Sequence, residues 1–148
     1  MVIRRGTSAD IADLMALERQ APAAAHWSRE QYQSAFSVDA PSRVLLIIEK
    51  DAGIQGFIVG RALDKEWEIE NVVVSESVRR HRLGSRLVQE FLALARGRGA
   101  EEIFLEVRES NLAARRLYEK SGFSQSSKRK SYYHQPQEDA IVYQLGLT

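Results

Sequence analysis

A run of basic side chains lies between a predicted strand that ends at Val74 and a predicted helix that begins at Leu83. The first backbone N–H groups of a helix have no partners within the helix and lie at the positive end of its dipole, so this junction favours an anion such as a phosphate. No acidic residue interrupts the run between Glu76 and Glu90. On charge alone a solvated basic face explains the run equally well, but its position favours an anion site. Its basic residues are Arg79, Arg80, His81, Arg82 and Arg86.

Motifs for several other common chemistries are absent from the sequence. The basic run is neither G-x-x-x-x-G-K-[ST] nor G-x-G-x-x-G, which excludes the usual nucleoside triphosphate and dinucleotide loops. The chain has no Cys, which excludes disulfides, thiolate zinc sites, iron–sulfur clusters and a cysteine nucleophile. His26, His81 and His134 lack ligand spacing and no G-x-S-x-G is present, so we expect neither a metal site nor a serine nucleophile.

Two side chains suited to proton transfer lie on apolar elements. Glu106 lies inside a predicted apolar strand, where a carboxylate is costly unless it has a function or a partner such as Arg108 or a neighbouring helix. Tyr118 lies at the apolar edge of a predicted helix, where an aromatic ring is most often part of the core. Glu68 and Glu70 on an earlier strand compete for the role of general base, although a plain polar strand face also explains them.

Apolar periodicity predicts the elements that position these residues. The clearest is a helix over 83–98, whose apolar stripe runs from Leu83 to Ala95. The polar, basic segment 124–137 is predicted to be a loop between strands, because a strong strand pattern follows it. Strands are predicted at 2–5, 43–49, 54–63, 67–74, 102–107 and 140–147, and further helices near Thr7, at Ser28 and over 111–120.

The predicted strand 67–74 alternates along its length and becomes apolar on both faces in its second half. We therefore expect it to be buried towards its C-terminal end. One predicted face carries Trp67, Ile69, Asn71 and Val73, and the other carries Glu68, Glu70, Val72 and Val74.

Length and composition predict a globular protein. With 148 residues, 44% of them hydrophobic, the chain is long enough to form one domain with its own core. The formal net charge of +1, from 21 Lys plus Arg and 20 Asp plus Glu, argues against a chain that coats nucleic acid or binds a membrane surface as a whole. No segment approaches the roughly 18 apolar residues that span a bilayer, so we expect a cytoplasmic protein.

The basic run and a second motif together resemble a known enzyme family. The segment VVV and then RRHRLG at 79–84 resembles the Q/R-x-x-G-x-G/A pyrophosphate loop of the GCN5-related N-acetyltransferases (GNATs), which bind acetyl-CoA there. LEVR at 105–108, followed by Asn111, Ala114, LY at 117–118 and GF at 122–123, resembles the signature of the RimI-type branch, the ribosomal-protein-alanine N-acetyltransferases. Matches to the same branch continue at Trp27-Ser28, Tyr132-Tyr133 and EDAI at 138–141.

The resemblance implies a fold, an acyl donor and two catalytic roles. The fold is a single α/β domain over 1–148, with a mixed, mostly antiparallel sheet flanked by helices. Glu106 is implied to be the general base, through a water, and Tyr118 the acid that protonates the leaving thiolate. Acetyl-CoA is expected to contact Val72, Val73, Val74, Arg79, Arg80, His81, Arg82, Leu83, Gly84, Ser85, Asn111 and Tyr118. The acceptor groove is expected near Trp27, Tyr32, Tyr132 and Tyr133, for which ordinary loop packing is the alternative.

Arg82 departs from the family motif, which has glycine at this position. If the backbone needs a positive φ there, an arginine costs about 1 kcal/mol or more. If the position needs only a small side chain, Arg82 can point to solvent or hold a phosphate. We expect acetyl-CoA to bind in either case.

The acceptor is predicted to be a protein N-terminus. The pKa of an α-amine is near 7.8 and that of lysine near 10.4, so deprotonating a lysine costs roughly 3.5 kcal/mol more at neutral pH. The resemblance implies a ribosomal protein, and the lack of Cys favours direct attack of the amine on the thioester. The alternatives are transfer to a lysine or a small-molecule amine, a CoA-sensing module without activity, and a nucleic-acid-binding module that uses residues 79–86 and 128–130.

Overall fold

Seven strands form one sheet within the residues that the computed structural model describes, which are 1–20, 27–36, 43–51, 53–75, 82–134 and 136–147. The strands are β1 (Val2–Arg5), β2 (Arg43–Lys50), β3 (Gly53–Leu63), β4 (Glu66–Val74), β5 (Glu102–Arg108), β6 (Ser124–Tyr133) and β7 (Glu138–Gly146). Their order in the sheet is β1–β2–β3–β4–β5–β7–β6. All neighbours are antiparallel except β4 and β5. The predicted mixed, mostly antiparallel sheet is confirmed.

Two helices of the described residues, which start after Ser28 and after Asn111, begin at the caps that the sequence predicts. Ser28 accepts a hydrogen bond from the Gln31 N–H at 3.2 Å, and Asn111 accepts one from the Ala114 N–H at 3.2 Å. None of the helices in the described residues combines the length and apolarity needed to cross a bilayer. These helices are α1 (Ile11–Arg19), which follows a 3₁₀ turn (Ser8–Asp10), α2 (Arg29–Ala35), α3 (Leu83–Gly97) and α4 (Leu112–Lys120).

The sheet separates two clusters of buried side chains. On one side, α3 buries its predicted stripe, with Leu87, Val88 and Phe91 fully covered, and α4 packs beside it. On the other side, α1 and α2 contribute Leu14 and Tyr32 to a smaller cluster. We call these sides the α3 face and the α1 face. Because successive strand side chains point to opposite sides of a sheet, the two clusters show which way each strand residue points.

A bulge at Glu70 breaks the alternation of β4. Consecutive residues of β3 pair with Ile69 and Asn71, so Glu70 is the extra residue. Ile69 packs on the α3 face, whereas Val73 packs on the α1 face and Asn71 donates a hydrogen bond to Glu18 of α1. A polar–apolar pattern in the sequence does not show that a strand contains such an extra residue. The prediction of one shared face is therefore wrong, because the bulge divides its members into Trp67 and Ile69 on one side and Asn71 and Val73 on the other.

The segment predicted to be a loop contains the edge strand β6. Its first nine side chains are exposed, so it lacks the apolar alternation from which a strand is predicted. Pairing with β7 supplies its backbone hydrogen bonds instead. Charged side chains such as Lys128 and Lys130 are typical of edge strands, where they discourage pairing with another chain. The interpretation of 124–137 as a loop is therefore wrong for β6.

Candidate active site

The gap between β4 and β5 is the centre of the candidate site. These parallel strands pair only across residues 66–69 of β4 and 102–105 of β5. Beyond this point β4 continues to Val74 and β5 to Arg108 without pairing with each other. The bulge at Glu70 begins where the pairing ends, which fits the tendency of a bulge to bend a strand away from its neighbour. Backbone groups on this edge of β4 are therefore available to an extended ligand.

Glu106 lies on β5 at the first position after this pairing ends. Its neighbours along β5 pack on the α3 face, so Glu106 points to the α1 face, where 16% of its side chain is exposed. Nη1 of Arg129 on β6 donates a hydrogen bond to Glu106 Oε1 at 2.7 Å. The partner that the sequence suggested, Arg108, pairs with Glu138 at 3.3 Å instead. Glu106 is thus a paired carboxylate at the edge of the gap.

Tyr118 lies on the α3 face, on the other side of the sheet from Glu106. Its ring centre is 5.8 Å from that of Phe123 and 6.4 Å from that of Tyr143. Burial raises the pKa of Tyr118, and interaction with Tyr133 raises it further. No described residue forms a hydrogen bond with its hydroxyl. Tyr118 is therefore a core residue that keeps its proton at neutral pH, as a proton donor must.

An irregularity in β6 precedes its two tyrosines. Between the pair Arg129–Ala140 and the pair Tyr133–Glu138, β6 uses two more residues than β7. Ser131 within this stretch has a left-handed backbone with a φ of 51°. Such a distortion redirects the side chains that follow it.

Tyr132 and Tyr133 each lie against an arginine beside Glu106. The guanidinium carbon of Arg129 is 4.1 Å from the centre of the Tyr132 ring, and that of Arg108 is 4.4 Å from the centre of the Tyr133 ring. Hydrogen bonding to Glu106 is the largest cause of the raised pKa of Tyr132. Burial and the charge of Glu106 raise the pKa of Tyr133 to about 12. Both tyrosines predicted to form the groove therefore lie near the predicted base.

Trp27 lines a cavity of about 350 Å³ on the α2 side of the α1 face. The guanidinium carbon of Arg43 lies 5.0 Å from the centre of the Trp27 ring. The cavity also reaches Glu70, and so it extends to the bulge of β4. Its lining consists of Trp27, Ser28, Glu30, Gln31, Ser34, Arg43 and Glu70.

Tyr32 does not reach this cavity. Its side chain is fully buried, with its ring centre 5.4 Å from that of Trp27. Its hydroxyl donates a hydrogen bond to Glu18 of α1, which also accepts one from Asn71 Nδ2 at 3.2 Å. Tyr32 therefore supports Trp27 and joins α1, α2 and β4. Because the Tyr32 side chain has no exposed surface, it cannot make the predicted contact with an acceptor in this arrangement.

The competing acids, Glu68 and Glu70, lie on the α1 face against arginines. Glu70 Oε1 is 3.1 Å from Arg43 Nε, but the contact is not aligned as a hydrogen bond and leaves this buried oxygen without one. Glu68 lies opposite Arg61 in the β3–β4 register. Burial raises the pKa of both carboxyls, and the arginines oppose that rise. Across the described ranges, no group of three or more acids or histidines could hold a metal ion.

The predicted phosphate-binding run is described only from Arg82 onwards, and Arg79, Arg80 and His81 lie outside the described residues. Arg82 is the residue before the first turn of α3, and that turn contains no acid. A Cβ added at Gly84 would lie 3.3 Å from Leu117, so α4 packs closely against the start of α3. Of the other predicted acetyl-CoA contacts, Leu83 and Val73 are buried, whereas Val72, Val74, Ser85 and Asn111 are partly exposed.

Arg82 has a left-handed backbone, with φ 60° and ψ 25°, which is the first of the two alternatives that the sequence left open at this position. We expect Arg82→Gly to raise the free energy of unfolding by about 0.5–1 kcal/mol. Relief of about 1–2 kcal/mol of backbone strain exceeds the roughly 0.4–1 kcal/mol that glycine adds to the entropy of the unfolded chain. Denaturant unfolding measures the change. Gln89→Gly, at an exposed position inside α3, is the control and should lower stability by about 1 kcal/mol; a similar loss at Arg82 would contradict the left-handed conformation.

Sequence reasoning missed Arg129 and Arg43 as site residues. The contact of Arg129 with Glu106 could not be predicted, because β6 lacks a strand pattern and the register of β6 with β7 could not be inferred. Arg43 opens a strand, and the pairing of Arg43 with Arg61 across β2 and β3 gives no sequence signal. A periodic pattern reports which residues are buried, not which side chains meet across strands.

Comparison with known proteins identifies the family that has this geometry. Residues 9–123 match the family model described as the acetyltransferase (GNAT) family. The chain belongs to the GNAT family. This GNAT protein is accordingly an acyltransferase.

Relatives of this GNAT protein include bacterial [ribosomal protein bS18]-alanine N-acetyltransferases. The protein from Salmonella typhimurium is 30% identical over 124 residues, which cover 82% of each chain. The protein from Escherichia coli K12 is 30% identical over 103 residues, or 68% of this chain and 70% of that one. The crystal structure of the E. coli ribosomal-protein-S18-alanine N-acetyltransferase superposes with a TM-score of 0.87 at 25% identity, covering 99% of this chain and 94% of that chain.

Proposed function

We propose that this GNAT protein transfers an acetyl group from acetyl-CoA to the N-terminal α-amine of a protein, with a ribosomal protein that begins with alanine as the first candidate. One observation carries the proposal: Glu106 lies at the edge of the gap between β4 and β5, and Tyr118 lies on the opposite face of the same sheet. In this reaction an amine loses a proton on one side and a thiolate gains one on the other. The arrangement supplies a base and an acid in the corresponding places.

The chain offers suitable groups for acetyl-CoA. The unpaired edge of β4 can bond an extended amide chain, and the start of α3 presents backbone N–H groups without an acid in its first turn. When bound, acetyl-CoA supplies an activated thioester carbonyl to which the amine adds directly. We propose that it is held by the residues that the motif indicates, namely Val72, Val73, Val74, Arg79, Arg80, His81, Arg82, Leu83, Gly84, Ser85, Asn111 and Tyr118.

Glu106 and Tyr118 move the two protons of the reaction. The amine nitrogen becomes cationic as it bonds to the acetyl carbon, and Glu106 accepts its proton through a water. Tyr118 gives its own proton to the departing sulfur. The raised pKa of Tyr118 keeps that proton in place until the thiolate forms. Because one group gains a proton and the other loses one, the enzyme's total protonation is unchanged after each transfer.

The acceptor approaches Glu106 from the α1 face in this proposal. Trp27, which precedes α2, and Tyr132 and Tyr133 on β6 are aromatic side chains of the described residues on that face. An α-amine suits a carboxylate base better than a lysine does, because it is roughly 3.5 kcal/mol easier to deprotonate at neutral pH. The relatives at 30% identity are named as alanine N-acetyltransferases, which supports the same choice. A ribosomal substrate would place the reaction in the cytoplasm.

A peptide panel tests the proposed function. Acetyl-CoA turnover is measured with peptides that differ in their first residue, and with N-terminally blocked peptides that carry one lysine. We expect a free alanine N-terminus to react at least about 100-fold faster than any blocked peptide, because the two amines differ by about 2.6 in pKa. Faster reaction of the blocked lysine peptides would contradict the N-terminal assignment. Binding of acetyl-CoA without turnover of any amine would support the CoA-sensing alternative.

The alternative of nucleic-acid binding loses support in the structure. Lys128 pairs with Glu109 at 2.8 Å and with Asp139 at 3.4 Å, and Arg129 pairs with Glu106. Lys128 and Arg129 are therefore paired within the protein, which reduces the free positive charge that β6 could offer to phosphate groups.

A further inference from the structure

Arg129 forms an ion pair with the carboxylate of the proposed base, Glu106, in the absence of any acceptor. Its Nη1 lies 2.7 Å from Glu106 Oε1, and its guanidinium stacks on the ring of Tyr132. A planar guanidinium is suited to such a double contact, because it can bond a carboxylate and stack on an aromatic face together. The contact thus places a fixed cation beside Glu106, where the nitrogen of an acceptor must come.

The sheet register explains how Arg129 reaches Glu106. Arg129 pairs with Ala140 of β7, and Glu106 pairs with Val142 of the same strand, so all four residues face the α1 side. The side chain must cross β7, since β6 and β5 lie about 9.5 Å apart on either side of it. Ala140 presents only a methyl group at the crossing point, which leaves room for the arm of Arg129.

Each carboxylate on this part of the α1 face has an arginine near it. Glu70 has Arg43 at 3.1 Å, Glu106 has Arg129 at 2.7 Å, and Glu68 lies opposite Arg61. An approaching ammonium group therefore meets acids that are already neutralised. Among the described residues, the charged and titratable groups that face Glu106 are Glu68 on β4, Arg108 on β5, and Arg129, Tyr132 and Tyr133 on β6.

We propose that Arg129 is a specificity-determining residue, which makes the groove admit the acceptor as a neutral amine and excludes the ammonium form. The inference rests on the proposed function, because it requires the acceptor nitrogen to lie beside Glu106. At pH 7 about 14% of an α-amine is neutral but only about 0.04% of a lysine, so a site that selects neutral amines prefers the α-amine about 300-fold. In the proposed reaction Glu106 accepts, through a water, the proton released during attack.

Calorimetry of peptide binding to the protein–CoA complex tests this inference without turnover. Titrations of a lysine-free peptide with an N-terminal alanine, in buffers of different ionisation enthalpy at pH 7, give the number of protons released per peptide. We expect about 0.9 proton for the wild type, because that fraction of the α-amine is protonated in solution. For Arg129→Met we expect less than about 0.3 proton, since Glu106 then pairs with the ammonium directly. Arg129→Lys keeps a cation and should retain most of the release.

Lys130→Met is the matched control, because it removes the same charge from the next position of β6, and it should release protons as the wild type does. In turnover assays Arg129→Met should also reduce the preference for the alanine peptide over a blocked lysine peptide at least tenfold, mainly through KM. Wild-type binding without proton release, or an Arg129→Met variant that loses kcat equally for both peptides at every pH, would overturn the inference. Proton release by peptides that are never acetylated would instead refute the proposed function, and with it the role of Arg129 in choosing an acceptor, so the two failures are distinguished by their different readouts.

Discussion

Glu106→Gln is expected to lower kcat by about 10²–10⁴-fold, the usual contribution of a general base. The amide keeps the shape of the side chain but cannot accept the proton that the amine loses. Acetyl-CoA binding should change by less than about twofold, because Glu106 points to the α1 face, away from the start of α3. Steady-state kinetics with an alanine peptide and calorimetry with acetyl-CoA measure the two effects.

Glu68→Gln and Glu70→Gln are the controls for this assignment. Both acids share the α1 face with Glu106, and burial raises the pKa of each of these two control carboxyls. We expect each control to retain kcat within about tenfold. Near wild-type turnover of Glu106→Gln, together with a loss of about 100-fold in Glu70→Gln, would move the base to the bulge of β4.

Tyr118→Phe is expected to lower kcat by about 10²-fold and to leave the free energy of unfolding within about 0.5 kcal/mol of the wild type. The phenyl ring keeps its contacts with Phe123 and Tyr143, and the lost hydroxyl has no hydrogen bond within the described chain. Since burial raises the pKa of Tyr118, the acid stays protonated as pH rises, and the wild-type rate should show no alkaline loss from this group below about pH 10.

Tyr143→Phe is expected to lower stability and to leave kcat nearly unchanged, which is the opposite of the result expected for Tyr118→Phe. The Tyr143 hydroxyl donates a hydrogen bond to Glu119 at 2.7 Å and accepts one from Arg115 at 3.0 Å. Its loss should cost about 1–2 kcal/mol of stability while kcat stays within about threefold. Full turnover in Tyr118→Phe would show that Tyr118 serves only the core, as its position alone suggests.

The sequence was sufficient to predict the elements that bury one regular stripe of apolar side chains. The stripe of α3 from Leu83 to Ala95 and the caps at Ser28 and Asn111 are confirmed, because a helix with one covered face leaves a direct periodic record. The sequence also singled out Glu106, since a carboxylate within an apolar strand is conspicuous, and its role as base stays a prediction. What the residues themselves did not reveal is the arrangement across strands.

Three features needed the structure for different physical reasons. The bulge at Glu70 inserts one extra residue into β4 relative to β3. The polar–apolar alternation of the sequence continues through it, but the side chains after the bulge point to the opposite face from the one that the alternation predicts. The edge strand β6 is exposed on both sides and therefore has no pattern. The contact between Glu106 and Arg129 spans two strand spacings, and its existence depends on the register of both pairs. Arg82 was predicted in part: the sequence allowed two backbone conformations at this position, and the structure has the left-handed one.

The outermost position of β6 has an evolutionary consequence. Arg129 and Tyr132, which we assign to the choice of acceptor, lie on a strand that buries almost no side chains, whereas Tyr118 is embedded in the core and Glu106 lies on the interior strand β5. Substitutions at exposed positions usually cost less than about 0.5 kcal/mol. A duplicated copy of this gene can therefore acquire a new acceptor through changes in one peripheral strand, while its descendants inherit the proton-transfer machinery intact.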